Sequence, residues 1–184
     1  HALRQGLFQA AAIVTTTGYA SMDFQTWSAP AKYLLLAAMF LGGSAGSAAG
    51  SVKIVRWVVV VKAAARELFT TGRPEAIRPV RIDEDTIRGV QVFVLLFVVF
   101  FGVSTLLLFL DAVRTGLSLS VLEAASATVA ILGNVGPGFG LVGPMGGYTA
   151  FSTPSKLFMV FLMWIGRLEI ISVLVLLTPS FWRT

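Results

Sequence analysis

The sequence predicts a helical protein that lies within a membrane. Of its 184 residues, 56% are hydrophobic and only 12% are charged, about half the charge that a soluble domain usually carries. The mean hydropathy is +0.83. A chain that crosses a bilayer must pair its backbone groups internally, as helices or as a closed barrel. The strict alternation typical of barrel strands is missing from this sequence, so we expect an all-α integral membrane fold.

The charge distribution argues for a membrane orientation and against a nucleic-acid-binding protein. The net charge is +5, but eight of the fourteen Lys and Arg residues fall between Lys53 and Arg88, beside apolar segments. Such an excess is typical of a cytoplasmic loop, which we expect at residues 67–88. The chain begins without Met inside an apolar segment, so we expect it to be the carboxyl-terminal part of a longer protein.

The apolar segments fall into two classes by length. Residues 90–110 carry no charge over 21 positions and predict a transmembrane helix. Residues 31–66 and 155–178 are also long enough to cross, the first only with a break or an extension. Residues 2–14 and 121–132 predict helices of roughly 20 Å, which can enter the ~30 Å hydrocarbon core but not cross it. With the basic loop inside, both short helices enter and leave on the outer side.

A glycine turn follows each short helix. Residues 15–20 read Thr-Thr-Thr-Gly-Tyr-Ala, and residues 134–138 read Asn-Val-Gly-Pro-Gly. The order Thr-Thr-Gly-Tyr is close to the filter pattern of potassium channels, in which backbone carbonyls replace the hydration shell of the ion. Clusters of Gly and Pro are usually ordinary turns. The repetition of the pattern after two short helices favours two re-entrant filters, and therefore potassium-channel-like repeats with one repeat incomplete.

The segment 31–66 contains a stretch of ten small residues, 42–51. Three of its glycines recur every four residues, the spacing of a helix-packing face. A fourth glycine and two serines lie on other faces and weaken a helix beyond what packing requires. The sequence leaves two interpretations open, a packing face and an unwound gating loop below the filter. The candidate loop residues are Gly42, Gly43, Ser44, Gly46, Ser47 and Gly50.

One arginine interrupts the last apolar segment. Arg167 lies mid-span, where a charged side chain costs roughly 2.5–3.5 kcal/mol or more and needs protein or water around it. Glu169 is on nearly the opposite helix face, so the two cannot simply neutralise each other. Arg167 is either half of a salt bridge between helices or a fixed positive charge beside the pore. We expect Glu123 to cap a helix and Arg183 to lie on the inner side.

The composition argues against an enzyme. The sequence has no cysteine and a single histidine, His1, and it shows neither a metal cluster nor a nucleophile–base pair. The filter argument predicts a transported potassium or sodium ion, and we expect no organic cofactor and no other metal. Two alternatives remain, a secondary transporter of an organic solute, which also uses repeats and broken helices, and a non-conducting membrane subunit.

Four motifs in order resemble the Trk/Ktr/HKT superfamily of potassium-uptake proteins, and most closely its Trk branch. They are TTTGYA at 15–20, GGSAGSAAGS at 42–51 followed by Lys53, NVGPG at 134–138 and GRLE at 166–169. The resemblance covers essentially the whole chain. One departure is Ala20, which stands where a channel filter has its second glycine.

The resemblance implies a pore of four linked repeats, two of them on this chain. Residues 1–66 would be the third repeat without its outer helix, with pore helix 2–14, filter 15–20 and broken inner helix 31–66. Residues 67–88 would be the cytoplasmic loop. Residues 89–184 would be the fourth repeat, with outer helix 90–110, pore helix 121–132, filter 133–138 and inner helix 155–178.

The resemblance also implies functional residues and partners. Six residues would bind potassium in the filter: Thr16, Thr17, Gly18, Asn134, Val135 and Gly136. Residues 42–51 would be the intramembrane gating loop, with Arg167 near it. The partners would be the remaining repeats, membrane lipid, a second copy in a homodimer and a cytosolic nucleotide-binding regulatory ring. The protein would be a multi-pass protein of a prokaryotic plasma (inner) membrane.

Overall fold

The computed structural model describes residues 1–44, 46–47, 49–72, 83–168 and 170–182. Within these ranges the chain is mostly helical, as expected. The α-helices are α1 (Ala2–Val14), α2 (Ala29–Met39), α3 (Ile54–Gly72), α4 (Glu84–Thr115), α5 (Val121–Leu132), α6 (Thr153–Leu168), α7 (Ile170–Leu177) and α8 (Pro179–Trp182). Two single 3₁₀ turns cover Phe24–Thr26 and Gly140–Val142, and two short strands are β1 (Leu41–Gly42) and β2 (Val52–Lys53).

The two short helices, α1 and α5, have the bounds that the sequence predicts. Helix α5 begins with a complete capping box, in which the Ser120 side chain accepts from the Glu123 amide and the Glu123 carboxylate accepts from the Ser120 amide. This confirms the predicted capping role of Glu123. Eight of the twelve residues of α5 are buried, so this helix lies inside the described chain.

The long helix α4 extends beyond its prediction at both ends. It has 32 residues rather than the 21 of the segment 90–110, because Glu84 and Asp85 suit the first turn of a helix and the last turn continues past Asp111. Gly116, with a φ of +70°, ends the helix in a left-handed cap. Among the described residues α4 is the one helix both long and apolar enough to cross a membrane.

The predicted inner helix 155–178 is divided in the structure. It forms two helices, α6 and α7, which are bent by 111° relative to each other. The division falls where the polar residues of the GRLE motif interrupt the apolar sequence. If the bent pair counts as one span, the described chain has two candidate crossings by length and composition.

A break divides the segment 31–66 between α2 and α3. Strands β1 and β2 pair in parallel across it, with Leu41 opposite Val52. The carbonyl groups at the end of α2 accept hydrogen bonds from residues that follow the break. Ser51 Oγ donates to Met39 O at 2.8 Å, and Trp57 Nε1 donates to Phe40 O at 3.2 Å. The described part of the stretch 42–51 is therefore not a helix-packing face, because it is not helical.

The two halves of the chain share helix α5. A first apolar cluster joins α4, α5 and α6, with Leu108, Ile131 and Leu162 fully buried in it. A second cluster joins α1 and α2 to α5, and it includes Ile13 of α1 and Val129 of α5. Because α5 contributes to both clusters, packing fixes the position of its carboxyl end relative to that of α1.

Candidate functional site

The first glycine turn is fixed by hydrogen bonds to the end of α1. The Thr16 amide donates to the Ile13 carbonyl at 3.0 Å. The amides of Thr17 and Gly18 both donate to the Ala12 carbonyl, at 2.9 and 3.2 Å. These bonds use carbonyl groups that a helix end leaves unpaired, so the turn is a continuation of the helix cap.

The second turn repeats this arrangement at the end of α5. The Asn134 amide donates to the Ile131 carbonyl at 3.0 Å. The amides of Val135 and Gly136 both donate to the Ala130 carbonyl, at 2.8 and 3.3 Å. Every donor and acceptor lies 118 residues after its counterpart, as from residue 16 to residue 134. The repeat that the sequence suggests is therefore also a repeat of backbone geometry.

The backbone dihedrals match in the same register. Thr16 and Asn134 have φ angles of +54° and +52°, and Gly18 and Gly136 have φ angles of +72° and +108°. Residues other than glycine rarely adopt positive φ. Among the described residues, Ser51 is the one further non-glycine residue that does so. The two turns thus share an uncommon conformation at equivalent positions.

The two turns touch each other through their glycines. A Cβ atom placed on Gly18 would lie 2.2 Å from the Val135 carbonyl oxygen, and one placed on Gly136 would lie 3.7 Å from the Gly18 Cα. The glycines of the two predicted filters are therefore neighbours. Thr17 is exposed on this chain, whereas its counterpart Val135 is buried.

A glutamine that the sequence analysis did not identify joins the segments that follow the two turns. The Gln25 side chain donates to the Gly140 carbonyl and accepts from the Gly140 amide, both at 2.9 Å. Next to this pair, the rings of Phe24 and Phe139 meet edge to face with centroids 5.7 Å apart. These residues are 115 positions apart, and no local pattern marks such a contact.

A tyrosine of the outer loop also contacts the second turn. Tyr148 donates its hydroxyl to the Gly136 carbonyl oxygen at 2.7 Å. Burial raises the pKa of the Tyr148 phenol, which keeps the proton on the donor. The sequence gives one weak signal for this residue, a single aromatic side chain directly after the glycine-rich segment.

Helix α6 lies directly against the end of α5. The Asn134 side chain donates from Nδ2 to the Met163 carbonyl at 3.1 Å. A Cβ on Gly166 would lie 1.8 Å from the Leu132 carbonyl oxygen, so only glycine fits at this contact. Gly166 belongs to the GRLE motif, and the structure gives it a steric role that the sequence analysis did not assign.

The glycine stretch reaches the second turn at its far end. A Cβ on Gly50 would lie 2.2 Å from the Gly133 carbonyl oxygen and 3.1 Å from the Asn134 Cβ. A Cβ on Gly42 would in turn lie 2.5 Å from the Gly50 carbonyl oxygen. Gly43 packs on Ser47. The structure thus brings one end of the candidate loop against the second turn.

The remaining candidate residues of this stretch are less constrained. Ser44 and Gly46 are exposed, and Gly46 has a φ of +80°. Ser47 accepts a hydrogen bond from the Ala49 amide at 3.1 Å.

Arg167 is exposed in the last turn of α6, one residue after the tight contact at Gly166. Within the described ranges no ion pair of Arg167 is found, so the predicted inter-helix salt bridge has no partner there. Glu169 and Arg183, which the sequence analysis also considered, lie outside the described residues.

Comparison with known proteins decides the family. Residues 1–183 match the family model described as "TrkH: Cation transport protein". The chain belongs to this family. This membership confirms the predicted resemblance, and it agrees with the prediction that the chain is not an enzyme.

Individual relatives are similar over nearly all of the chain. The Trk system potassium uptake protein TrkH of Halomonas elongata is 33% identical over 182 residues, which cover 98% of this chain and 37% of that protein. The protein TrkI of the same organism is 36% identical over 187 residues, with the same two coverages. This chain spans little more than a third of the length of these relatives.

A solved structure supports the fold. The crystal structure of the potassium transporter TrkH from Vibrio parahaemolyticus matches with a TM-score of 0.78 and 31% identity, covering 97% of this chain and 38% of that one. The predicted fold class, an all-α membrane protein with potassium-channel-like repeats, is confirmed by this match. The chain is thus part of a prokaryotic membrane protein of the TrkH family, whereas the residue assignments of the filter stay predictions.

Proposed function

We propose that this chain forms two adjoining walls of a potassium-uptake path across a prokaryotic plasma membrane, as a multi-pass protein. The observation that carries the proposal is the pair of equivalent turns in contact at Gly18 and Gly136. A backbone that alternates positive and negative φ directs successive carbonyls toward one side, whereas a strand directs them alternately. Carbonyl groups so arranged can replace the water shell of a potassium ion.

The proposed filter consists of the six residues expected from the sequence. Three come from each turn, and the main-chain oxygens provide the coordination: Thr16, Thr17, Gly18, Asn134, Val135 and Gly136. Helices α1 and α5 end at these turns, and the partial negative charge of a helix carboxyl end favours a cation there. Names of relatives support the choice of ion, since those proteins are described as potassium uptake proteins.

The proposed gate lies next to this filter. The described residues of the stretch 42–51 are not helical and lie between α2 and α3, and Gly50 touches Gly133 at the base of the second turn. A non-helical segment at this place can obstruct the path or withdraw from it with little change in the helices. Arg167, one turn beyond the Met163 contact, would place a positive charge beside the path and shorten the residence of a cation.

Two walls do not enclose an ion, so the proposal requires partners. The remaining repeats of the pore would supply the other walls, and membrane lipid would cover the exposed apolar face of α4. A homodimer and a cytosolic nucleotide-binding ring belong to the same proposal, on the resemblance alone.

Potassium flux through the complete transporter in liposomes tests the proposal. Replacing Gly136 with valine should abolish the flux, because Gly136 has a φ of +108°, a backbone conformation that a β-branched residue rarely adopts. Gly102→Ala is the matched control, because a Cβ there meets no described heavy atom within 4 Å. Normal potassium flux in the Gly136 variant would reject the filter, and a wild-type protein that moves an organic solute instead of potassium would reject the function.

A further inference from the structure

The hydroxyl of Tyr148 is bound to one oxygen of the proposed filter. It donates to the Gly136 carbonyl at a distance of 2.7 Å. A carbonyl oxygen has two lone pairs, so this oxygen can accept the phenol and still offer its second lone pair to a cation. In the proposed path, the contact would lie in the immediate surroundings of the ion rather than in the scaffold behind it.

The segment that carries Tyr148 is braced on both sides. The Gly147 amide donates to the Leu141 carbonyl at 3.0 Å. Lys156 donates from Nζ to the Thr149 carbonyl at 2.8 Å. The Tyr148 ring lies beside the buried Phe151 ring, with centroids 6.2 Å apart. The hydroxyl is thus held in place by contacts independent of the bond that it makes.

The contact occurs at one turn and not at its equivalent. Among the described side chains, none donates to the Gly18 carbonyl oxygen. The two turns, alike in their backbone bonds, therefore differ in the electrostatic surroundings of their glycine oxygens.

We propose that Tyr148 is a specificity-determining residue whose hydroxyl lowers the field of the Gly136 oxygen and so disfavours sodium relative to potassium. The inference rests on the proposed potassium path. The positive end of the O–H dipole reduces the negative potential that this oxygen presents to an ion. Sodium, being smaller and more strongly hydrated, needs the stronger field to give up its water, so a weaker field favours potassium.

The test is an ion competition with the complete transporter in liposomes. Tyr148→Phe keeps the ring and removes the donor, and the ratio of potassium to sodium flux should fall about two- to tenfold, the range that one net hydrogen bond can supply. Tyr33→Phe makes the same chemical change at an exposed site of α2 and should leave the ratio unchanged. A purely structural role would lower the melting temperature without moving the ratio.

The possible outcomes are distinguishable. Potassium flux with an unchanged ratio in Tyr148→Phe would overturn the inference and leave the proposed function standing. A complete wild-type transporter without potassium flux would overturn the proposed function itself. If Tyr148→Phe does not fold, a fluorinated tyrosine at position 148, which is a stronger donor of the same shape, decides the question: the ratio should rise, and an unchanged or lower ratio would contradict the proposal.

Discussion

The Cα of Gly18 lies directly against the carbonyl oxygen of Val135, so that a Cβ at position 18 would be 2.2 Å from that oxygen. Gly18 also has a φ of +72°, a conformation that costs other residues about 1–2 kcal/mol. Steric contact and backbone conformation therefore require glycine independently. The closest approach of the two turns depends on this one missing side chain.

Replacing Gly18 with alanine should abolish or strongly reduce potassium flux in liposomes that contain the complete transporter. The added methyl group must displace the second turn, since the backbone atom it meets cannot rotate away. Gly6→Ala in helix α1 is the control, because no described heavy atom lies within 4 Å of a Cβ there and alanine is the better helix former. Wild-type flux in the Gly18 variant would show that the two turns need not touch.

Replacing Gly50 with alanine should also lower potassium flux, although this residue lies outside both turns. A Cβ would be 2.2 Å from the Gly133 carbonyl oxygen, and relief of that contact moves either the glycine stretch or the base of the second turn. Gly89→Ala, which adds the same methyl group where the described chain leaves open space, should behave as wild type. Equal potassium flux in the two variants would show that the contact between the stretch 42–51 and the second turn is not needed for transport.

Replacing Gln25 with alanine should destabilise the protein by about 1–3 kcal/mol, the cost of leaving a partly buried backbone group unpaired. The Gly140 amide loses its partner in this variant, whereas the Gly140 carbonyl loses the Gln25 donor but still accepts from the Gly143 amide at 3.0 Å. Gln25→Glu keeps an acceptor for the Gly140 amide but sets a carboxylate oxygen against the Gly140 carbonyl oxygen, so its melting temperature in detergent should also fall below that of wild type. A melting temperature equal to wild type in both would remove Gln25 as the link between the repeats.

Asp111 fastens helix α4 to the start of α6, and its replacement by alanine should lower the melting temperature. Ser152 and Ser155 donate their hydroxyls to the Asp111 carboxylate at 2.5 and 2.7 Å, and hydrogen bonds to charged groups contribute about 1.5–3 kcal/mol. Arg114 pairs with the same carboxylate at 2.8 Å, but its side chain is 69% exposed.

Arg114→Ala is therefore the matched control, and it should change the melting temperature little, because surface ion pairs contribute about 0–1 kcal/mol. If the Arg114 variant were as unstable as the Asp111 variant, the ion pair rather than the two serines would hold α6.

Local sequence signals account for the parts of the fold that depend on local physics. The capping box at Ser120, the short apolar lengths of α1 and α5, and the glycine content of the break after α2 are all visible in a few neighbouring residues. The glycines of the two turns can be recognised in the sequence for the same reason, since the positive φ at Gly18 and Gly136 is a local property of each turn. These features set the positions of the predicted filter and of the predicted loop.

Contacts between distant parts of the chain could not be predicted in this way. Gln25 meets Gly140, and Gly166 meets Leu132, only because the helices pack in one particular arrangement. The extent of α4 was also underestimated, because a hydropathy pattern marks the apolar centre of a helix and not the polar turns at its ends. The polar residues between α6 and α7 are visible in the sequence, but the angle between the two helices depends on the residues packed around them.

The 118-residue repeat has a consequence for how such a pore can change. In a channel assembled from identical subunits, symmetry repeats each substitution on every side of the ion. A single substitution therefore changes the ion selectivity by a large amount. Here the two copies occupy separate positions of one polypeptide, so a substitution at Tyr148 would change the surroundings of the Gly136 oxygen and leave those of the Gly18 oxygen unchanged. Covalent linkage of the copies thus permits gradual adjustment of the ion's environment.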